Sequence, residues 1–262
     1  MKTGSRKPAR TATLALTCAL VISAPLQAVE IKVVTAGTFR AAYLELAPEY
    51  EHVTSHKLLT EFGASMGTTH NAIPMRLDRG EVIDVVIMFA PALSDLIKRG
   101  KVRTGSAVDL VRSGIGMAVK SGAPKPDIST IDALKRTLLA AKSIAYSDSD
   151  SGIYLATELF PKLGIADQLK SKSRKVEGEP VGGVVAKGQA DIGFQQMSEL
   201  LPLNGIDVVG ELPPGAQRVT VAAAGIPVTS THPEVAKALI EWLASPAAYP
   251  AIRKSGLDPV GP

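Results

Sequence analysis

Cysteine is almost missing: the 262 residues hold one, Cys18. It stands in an amino-terminal segment that reads as a secretory signal. Met1 to Arg10 carries Lys2, Arg6, Lys7 and Arg10 and no acid, Thr11 to Ser23 is almost wholly apolar, and Leu26-Gln27-Ala28 provides the small residue of a cleavage site. Once residues 1–28 are removed no thiol remains, which excludes disulfides and thiolate metal sites. A lipidated Cys18 fits poorly, because Thr17 precedes it and apolar sequence continues beyond it. A long hydrophobic run is the second absence. The apolar stretch of the leader is too short to span a bilayer, so no membrane anchor is expected. Clustered positive charge is the third. Four of the 29 basic residues lie in the leader, leaving 25 against 25 acidic residues in a mature chain of 234. A neutral chain without a Lys/Arg cluster offers nothing for tracking phosphates, so nucleic acid is not an expected partner. The expected destination is the periplasm.

Several catalytic signatures are also missing: G-x-S-x-G, H-E-x-x-H, a P-loop, and G-x-G-x-x-G after a strand. Asp148 and Asp150 are too few oxygen ligands for a calcium loop and read as a solvated turn. No metal or organic cofactor is called for.

What is present is an alternation of strands and helices. Apolar strands are expected at Val29 to Val34, Lys57 to Phe62, Asp84 to Phe89, Ser113 to Lys120, Ser143 to Tyr146, Asp191 to Phe194 and Val219 to Ala224. Between them the pattern predicts helices over Arg40 to Tyr50, Pro74 to Gly80, Leu93 to Arg99, Ser129 to Ala141, Gly152 to Leu163, Val181 to Lys187 and Pro233 to Ala244. Short apolar strands alternating with helices mean an α/β protein, here expected to be mostly parallel.

Three strand ends carry small hydroxyl residues ahead of a helix. They are Gly37-Thr38, Ser65-Met66-Gly67-Thr68, and Ser147-Asp148-Ser149-Asp150-Ser151-Gly152. In an open α/β sheet ligands gather at the carboxyl ends of strands, where helix N-termini present free N–H groups to anions. Ser and Thr are also ordinary N-caps, so each loop alone is equally a helix start. Three together mark candidate ligand contacts at Thr38, Ser65, Met66, Gly67, Thr68, Ser147, Ser149, Ser151 and Gly152.

Longer stretches add to this: Phe62-Gly63-Ala64-Ser65-Met66-Gly67, Arg79-Gly80-Glu81-Val82-Ile83-Asp84-Val85-Val86, and Val185-Ala186-Lys187-Gly188-Gln189-Ala190-Asp191-Ile192-Gly193-Phe194. The tail carries Pro233-Glu234-Val235-Ala236-Lys237-Ala238-Leu239, Ser245-Pro246-Ala247-Ala248 and Lys254-Ser255-Gly256-Leu257. In this order and spacing the chain resembles the periplasmic molybdate-binding proteins and their relatives among the type II solute-binding proteins. The resemblance implies a two-lobed periplasmic binding protein type II fold with a ligand cleft between the lobes. One lobe would be residues 29–110 plus 222–262, the other residues 111–221, with hinge closure over the ligand.

The chain departs from that family's pattern in its loops. Gly37-Thr38-Phe39-Arg40 stands where the family has a Ser, Thr68-Thr69-His70-Asn71 is inserted before Pro74, and Gln195-Gln196 replaces a Tyr. Arg40 suits a planar carboxylate better than a tetrahedral oxyanion held by neutral donors. It is equally a surface arginine at a helix start, where the dipole disfavours a cation. His70 is the one histidine in a candidate ligand loop, and imidazole is the usual proton carrier near neutral pH. A solvated loop histidine is the plainer reading of the same residue. Two functions from different classes follow. In the first, the scaffold isomerises a small polycarboxylate by an allylic proton shift, with His70 moving the proton and Arg40, the hydroxyl loops, Gln195 and Gln196 holding the substrate. In the second, a non-catalytic binding protein delivers an oxyanion such as molybdate or tungstate, or a small carboxylate, to an ABC permease.

Overall fold

The computed structural model describes Met1 and residues 28–261. Residues 2–27, on which the signal-peptide reading rests, lie outside the described residues.

Strands and helices alternate at first: β1 (Glu30–Thr35), α1 (Gly37–Thr54), β2 (Lys57–Phe62), α2 (Ile73–Asp78), β3 (Val85–Phe89) and α3 (Ala90–Lys98). β4 (Val108–Ser113) then passes through Gly114 into β5 (Ile115–Lys120). Next come α4 (Ile131–Ala140), β6 (Ile144–Ser147) and α5 (Asp150–Tyr154), which continues through a π turn at Leu155–Leu159 into α6 (Phe160–Lys162). α7 (Ala166–Lys170), β7 (Ser173–Val176), α8 (Val181–Ala186), β8 (Ile192–Gln196), α9 (Met197–Leu200) and β9 (Ile206–Glu211) complete this half. The chain returns along β10 (Thr220–Gly225) and ends with α10 (Pro233–Leu243), α11 (Tyr249–Lys254) and β11 (Asp258–Pro259).

These strands form two sheets, ordered β11-β4-β10-β3-β1-β2 and β7-β6-β8-β5-β9. Each is covered by helices on both faces, and strand periodicity explains why. In β1, Ile31 and Val33 enter a core shared with Phe39, Tyr43 and Leu46 of α1 and Leu239, Ile240 and Leu243 of α10, whereas Val34 enters the opposite core, with Ile73 and Leu77 of α2 and Leu93 and Leu96 of α3. β3 divides the same way: Val85 and Ile87 to one side, Val86 and Met88 to the other. In the second sheet Ile115, Met117 and Val119 of β5 face α4 to α7, and Ala118 faces the core of α8 and α9. Burial on both faces is what the continuous apolar runs require.

The sheets are mixed rather than mostly parallel. β1, β2 and β3 pair in parallel, as do β6, β7 and β8, but β10 and β5 pair antiparallel with both of their neighbours. The reason lies in the two passages between sheets, β4 into β5 and β9 toward β10. Each strand leaving one sheet enters the other against its direction. The lobe boundaries expected at 110/111 and 221/222 fall inside β4 and β10, which belong to the first sheet throughout.

Helix starts differ in how they are capped. Thr130 Oγ1 accepts from Ala133 N at 3.1 Å and caps α4 as its sequence implies. α1 begins at Gly37, three residues earlier than its pattern suggests, behind Ala36, which offers no capping side chain. That early start puts Thr38 and Arg40 in the first turn of an 18-residue helix.

Candidate functional site

The carboxyl ends of β1, β2 and β3 lie side by side. Ala36 N donates to Ile87 O at 2.8 Å, and Ser65 Oγ accepts from Phe89 N at 3.0 Å, pinning the loop after β2 to the junction of β3 and α3. That loop closes on itself: Ile73 N donates to Ala64 O at 2.9 Å. Gly63 is required there, because a Cβ on it would lie 2.4 Å from Asn71 O. Ser65 and Met66 are half-buried, Gly67 and Thr68 exposed. His70 is exposed near the end of the turn and makes no hydrogen bond among the described residues.

Arg40 is held at the rim. Its guanidinium lies over the Phe62 ring, 3.9 Å from the centroid, and it forms no ion pair among the described residues. Stacking on an aromatic face leaves the in-plane N–H fork free for a planar anion. The position is a first helical turn, where the dipole gives a cation no help, so the residue does not stand there to stabilise α1.

The second lobe contributes a triangle of hydroxyls. Ser147 Oγ lies 2.8 Å from Ser149 Oγ and 3.0 Å from Ser151 Oγ, and the remaining side is 3.4 Å. Ser147 and Ser151 are buried; Ser149 precedes α5. Gly152 lets α5 press on the end of β6, since a Cβ there would lie 1.7 Å from Ser147 O.

Gln195 and Gln196 are buried with their amides committed inside the protein. Gln195 Oε1 accepts from Val181 N at 2.9 Å, at the start of α8. The Gln196 amide is satisfied at both ends when its nitrogen donates to Gly114 O at 3.1 Å and its oxygen accepts from Thr220 Oγ1 at 2.8 Å. Gln196 thereby ties Gly114, where the chain first crosses between sheets, to β10, where it returns.

One residue with no motif to announce it joins this group. Glu199, on the short helix α9 of the second lobe, reaches the start of α1 in the first. A Cβ added to Gly37 would lie 2.7 Å from its Oε1. Beside it, Ser198 Oγ donates to Thr38 O at 2.8 Å. Burial pushes the Glu199 carboxyl up to about 7; hydrogen bonds from the Gln195 amide and the Thr38 side chain oppose this, and the charge of Asp148 adds to it. The structure thus brings together Thr38 from the first lobe and, from the second, Gln195, Glu199 and the Asp148 loop. Ser65 and Arg40 lie on the neighbouring strand ends, and His70 stands farther out on the same side.

A hollow of about 610 Å³ elsewhere is lined by Glu30, Lys32, Glu81, Asp84 and His232. Most of its charges are already satisfied: Lys32 pairs with Glu61 and Glu81, and Asp84 accepts from Ser230 Oγ and from the backbone N–H groups of Lys32, Thr231 and His232. Among the described residues no group of three or more His, Asp or Glu side chains is placed to hold a metal ion. No helix among them is long and apolar enough to cross a membrane.

Two lobes, two crossing strands and loops converging between them define a type II binding-protein fold, and the chain belongs to the bacterial extracellular solute-binding protein family, whose sequence pattern matches residues 31–258. Within that family it is 48% identical over 255 residues to the aconitate isomerase of Pseudomonas sp, covering 96% of this chain and 97% of that one. It is 27% identical over 242 residues to the molybdate-binding protein ModA of Azotobacter vinelandii, covering 88% and 90%. The solved Azotobacter vinelandii periplasmic molybdate-binding protein superposes with a TM-score of 0.68 at 21% identity, covering 87% of this chain and 98% of that one. At that identity the superposition speaks for the fold alone.

Proposed function

We propose that this protein interconverts trans- and cis-aconitate by an allylic proton shift in the cleft between its lobes, in the periplasm, after removal of residues 1–28. The observation that carries this reading is the 48% identity to an aconitate isomerase across 96% of the chain. The lobes of this reading are residues 29–110 plus 222–262 and residues 111–221.

The chemistry fits the residues at hand. A base removes a proton from the methylene carbon, the electron pair spreads over the adjacent double bond and carboxylate, and a proton returns at the far carbon. The substrate carries three carboxylates, so the site needs preorganised donors both for binding and for the charge that develops on the enolate-like intermediate. Arg40, free at the rim, supplies a bidentate fork. Thr38, Ser65, Met66, Gly67 and Thr68 from one lobe, and Ser147, Ser149, Ser151 and Gly152 from the other, supply hydroxyl and backbone N–H groups. Gln195 and Gln196 act in this reading as braces behind the surface. His70 is the imidazole that the sequence offers for the proton; from its exposed turn it reaches a bound substrate only if that turn folds inward.

The test is direct. Purified mature protein incubated with trans-aconitate should produce cis-aconitate, followed by chromatography; binding without conversion sinks the isomerase reading. The fold and the molybdate-binding relative favour a second reading, capture of an oxyanion for an ABC permease, and calorimetric titration with molybdate or tungstate checks it.

Arg40 gives a further expectation. Arg40→Ala should weaken trans-aconitate binding about 10- to 100-fold, because it removes the bidentate partner of one carboxylate, and Arg40→Lys should restore only part of this. Unchanged affinity in Arg40→Ala returns the residue to the surface.

A further inference from the structure

A cleft built for a trianion should not aim a carboxylate at its own positive end. This one does. The N-terminus of α1, an 18-residue helix whose first N–H groups point outward, attracts anions, yet Glu199 from the opposite lobe already lies against it. Gly37 has no side chain to keep it away. A second acid, Asp148 in the loop after β6, acts on Glu199 through its charge, and no cation answers Glu199: its partners are the neutral Gln195 amide and Thr38 side chain, whereas Asp148 has Lys175 nearby. The rest of its surroundings is uncharged. α9 rests on β5, where Met197 and Leu200 pack over Gly116, and α1 presents Gly37 and Thr38. Asp148 is the one titratable side chain among the described residues whose charge it feels.

For a passive binding protein this arrangement is a defect, since every bound carboxylate would meet a like charge. For a proton-shifting enzyme it is functional. A carboxyl group kept out of water, without a cation, and beside a second acid gains and loses a proton readily near neutral pH. The residue as a whole is neither sealed in the core nor fully exposed, and it sits where α9 of one lobe meets α1 of the other.

From this geometry we propose that Glu199 is the acid–base catalyst of the isomerisation, taking the proton from the substrate's methylene carbon and returning it to the far carbon. This deepens the aconitate reading and rests on it. In the forward step a C–H bond breaks, an O–H bond forms on Glu199, and the electron pair moves into the conjugated carboxylate. In the return step the O–H bond breaks, a C–H bond forms at the other end of the allyl unit, and the double bond is left shifted. No oxidant, metal or second reactant enters, and product and substrate are isomers. Asp148 is a positioning residue in electrostatic terms: its charge sets the pH at which Glu199 is free to accept the proton.

The test uses the mature protein with trans-aconitate. Glu199→Gln is nearly isosteric and should keep its melting temperature and bind trans-aconitate at least as tightly as the wild type, because a negative charge has been removed beside an anion. Its turnover should fall about 100-fold or more. In D2O the wild type should wash deuterium into the substrate methylene, and Glu199→Gln should not. The wild-type kcat/KM should rise with pH through about 7, since the base must be unprotonated. In Asp148→Asn that rise should move to lower pH, because the like charge holding the proton on Glu199 is gone; a purely structural Asp148 would leave it in place. Glu199→Gln that still turns over near the wild-type rate overturns the proposal, as does an active Glu199→Gln alongside a dead His70→Asn, which would give the proton to the imidazole. A wild type that never converts trans-aconitate overturns the isomerase reading itself, a separate result.

Discussion

Gly152→Ala is expected to abolish ligand binding and to destabilise the second lobe by more than about 4 kcal/mol, among the largest losses a single substitution produces. The methyl group has nowhere to go. An added Cβ would lie 1.7 Å from Ser147 O, 2.7 Å from Ser147 C and 2.9 Å from Ser147 N, all backbone atoms at the end of β6. A flexible side chain would rotate aside; a strand held in parallel on both edges, by β7 and β8, cannot. The only relief is for α5 to draw away from β6. That movement opens the 3.0 Å contact between Ser147 and Ser151 and disperses the hydroxyl triangle. Either outcome is visible. Urea unfolding reports the stability, and trans-aconitate titration reports the site. A variant that folds as firmly as the wild type and binds as tightly would show that the serine loop is not where the ligand sits.

The expectation that Gly152 belongs to a ligand loop came from composition, and the rest of the molecule shows where such reading works and fails. β3 was legible because Asp-Val-Val-Ile-Met-Phe is apolar without interruption, as burial on both faces demands. β7 was not: Ser173–Val176 is an edge strand with mostly polar, exposed side chains, so the apolar run that marks strands elsewhere is absent. β4 was not legible: the strand expected at Ser113 to Lys120 is β5, and Val108–Ser113, one residue before it, carries Asp109 and Arg112 among its apolar residues. The start of α1 was placed at Arg40 because Gly37 and Thr38 are weak helix formers and Ala36 is no cap; tertiary packing overrides that local preference.

The site divides along similar lines. Hydroxyl residues after strands are a pattern with a mechanism, so the three loops could be named as candidates from sequence, with Arg40 beside the first. Glu199 was missed because nothing near it in the chain marks it: Met197–Leu200 is a single short turn. Its meaning comes from Gly37 and Asp148, which reach it only through the fold. His70 was chosen for its chemistry, as imidazole in a loop, and chemistry alone does not say whether a loop residue faces in or out.

Gln196 is the other residue that sequence could name but not explain. The resemblance marked it as a candidate ligand contact; in the fold its amide ties the crossing at Gly114 to Thr220 of the returning strand. Gln196→Leu is therefore expected to cost about 1 kcal/mol of stability, because a buried amide bridge between two chain segments is lost. Thr220 keeps a partner. Its hydroxyl can turn to Asp150 Oδ2, 3.1 Å away, so that group need not be orphaned. Gly114 O likewise keeps a donor, Met197 N at 3.0 Å, and it belongs to the single residue joining β4 to β5. The functional consequence follows from its place. Any hinge motion between the lobes must pass through these two strands, and removing their cross-tie should loosen the relation of Arg40 on one side to the serine triangle on the other. Ligand affinity should fall with stability, while a chemical step governed by Glu199 keeps its pH dependence. Urea unfolding and the pH profile of kcat/KM together decide it: a Gln196→Leu variant as stable as the wild type would mean that the amide is not the tie, and one with a displaced pH profile would place Gln196 against the reacting groups after all.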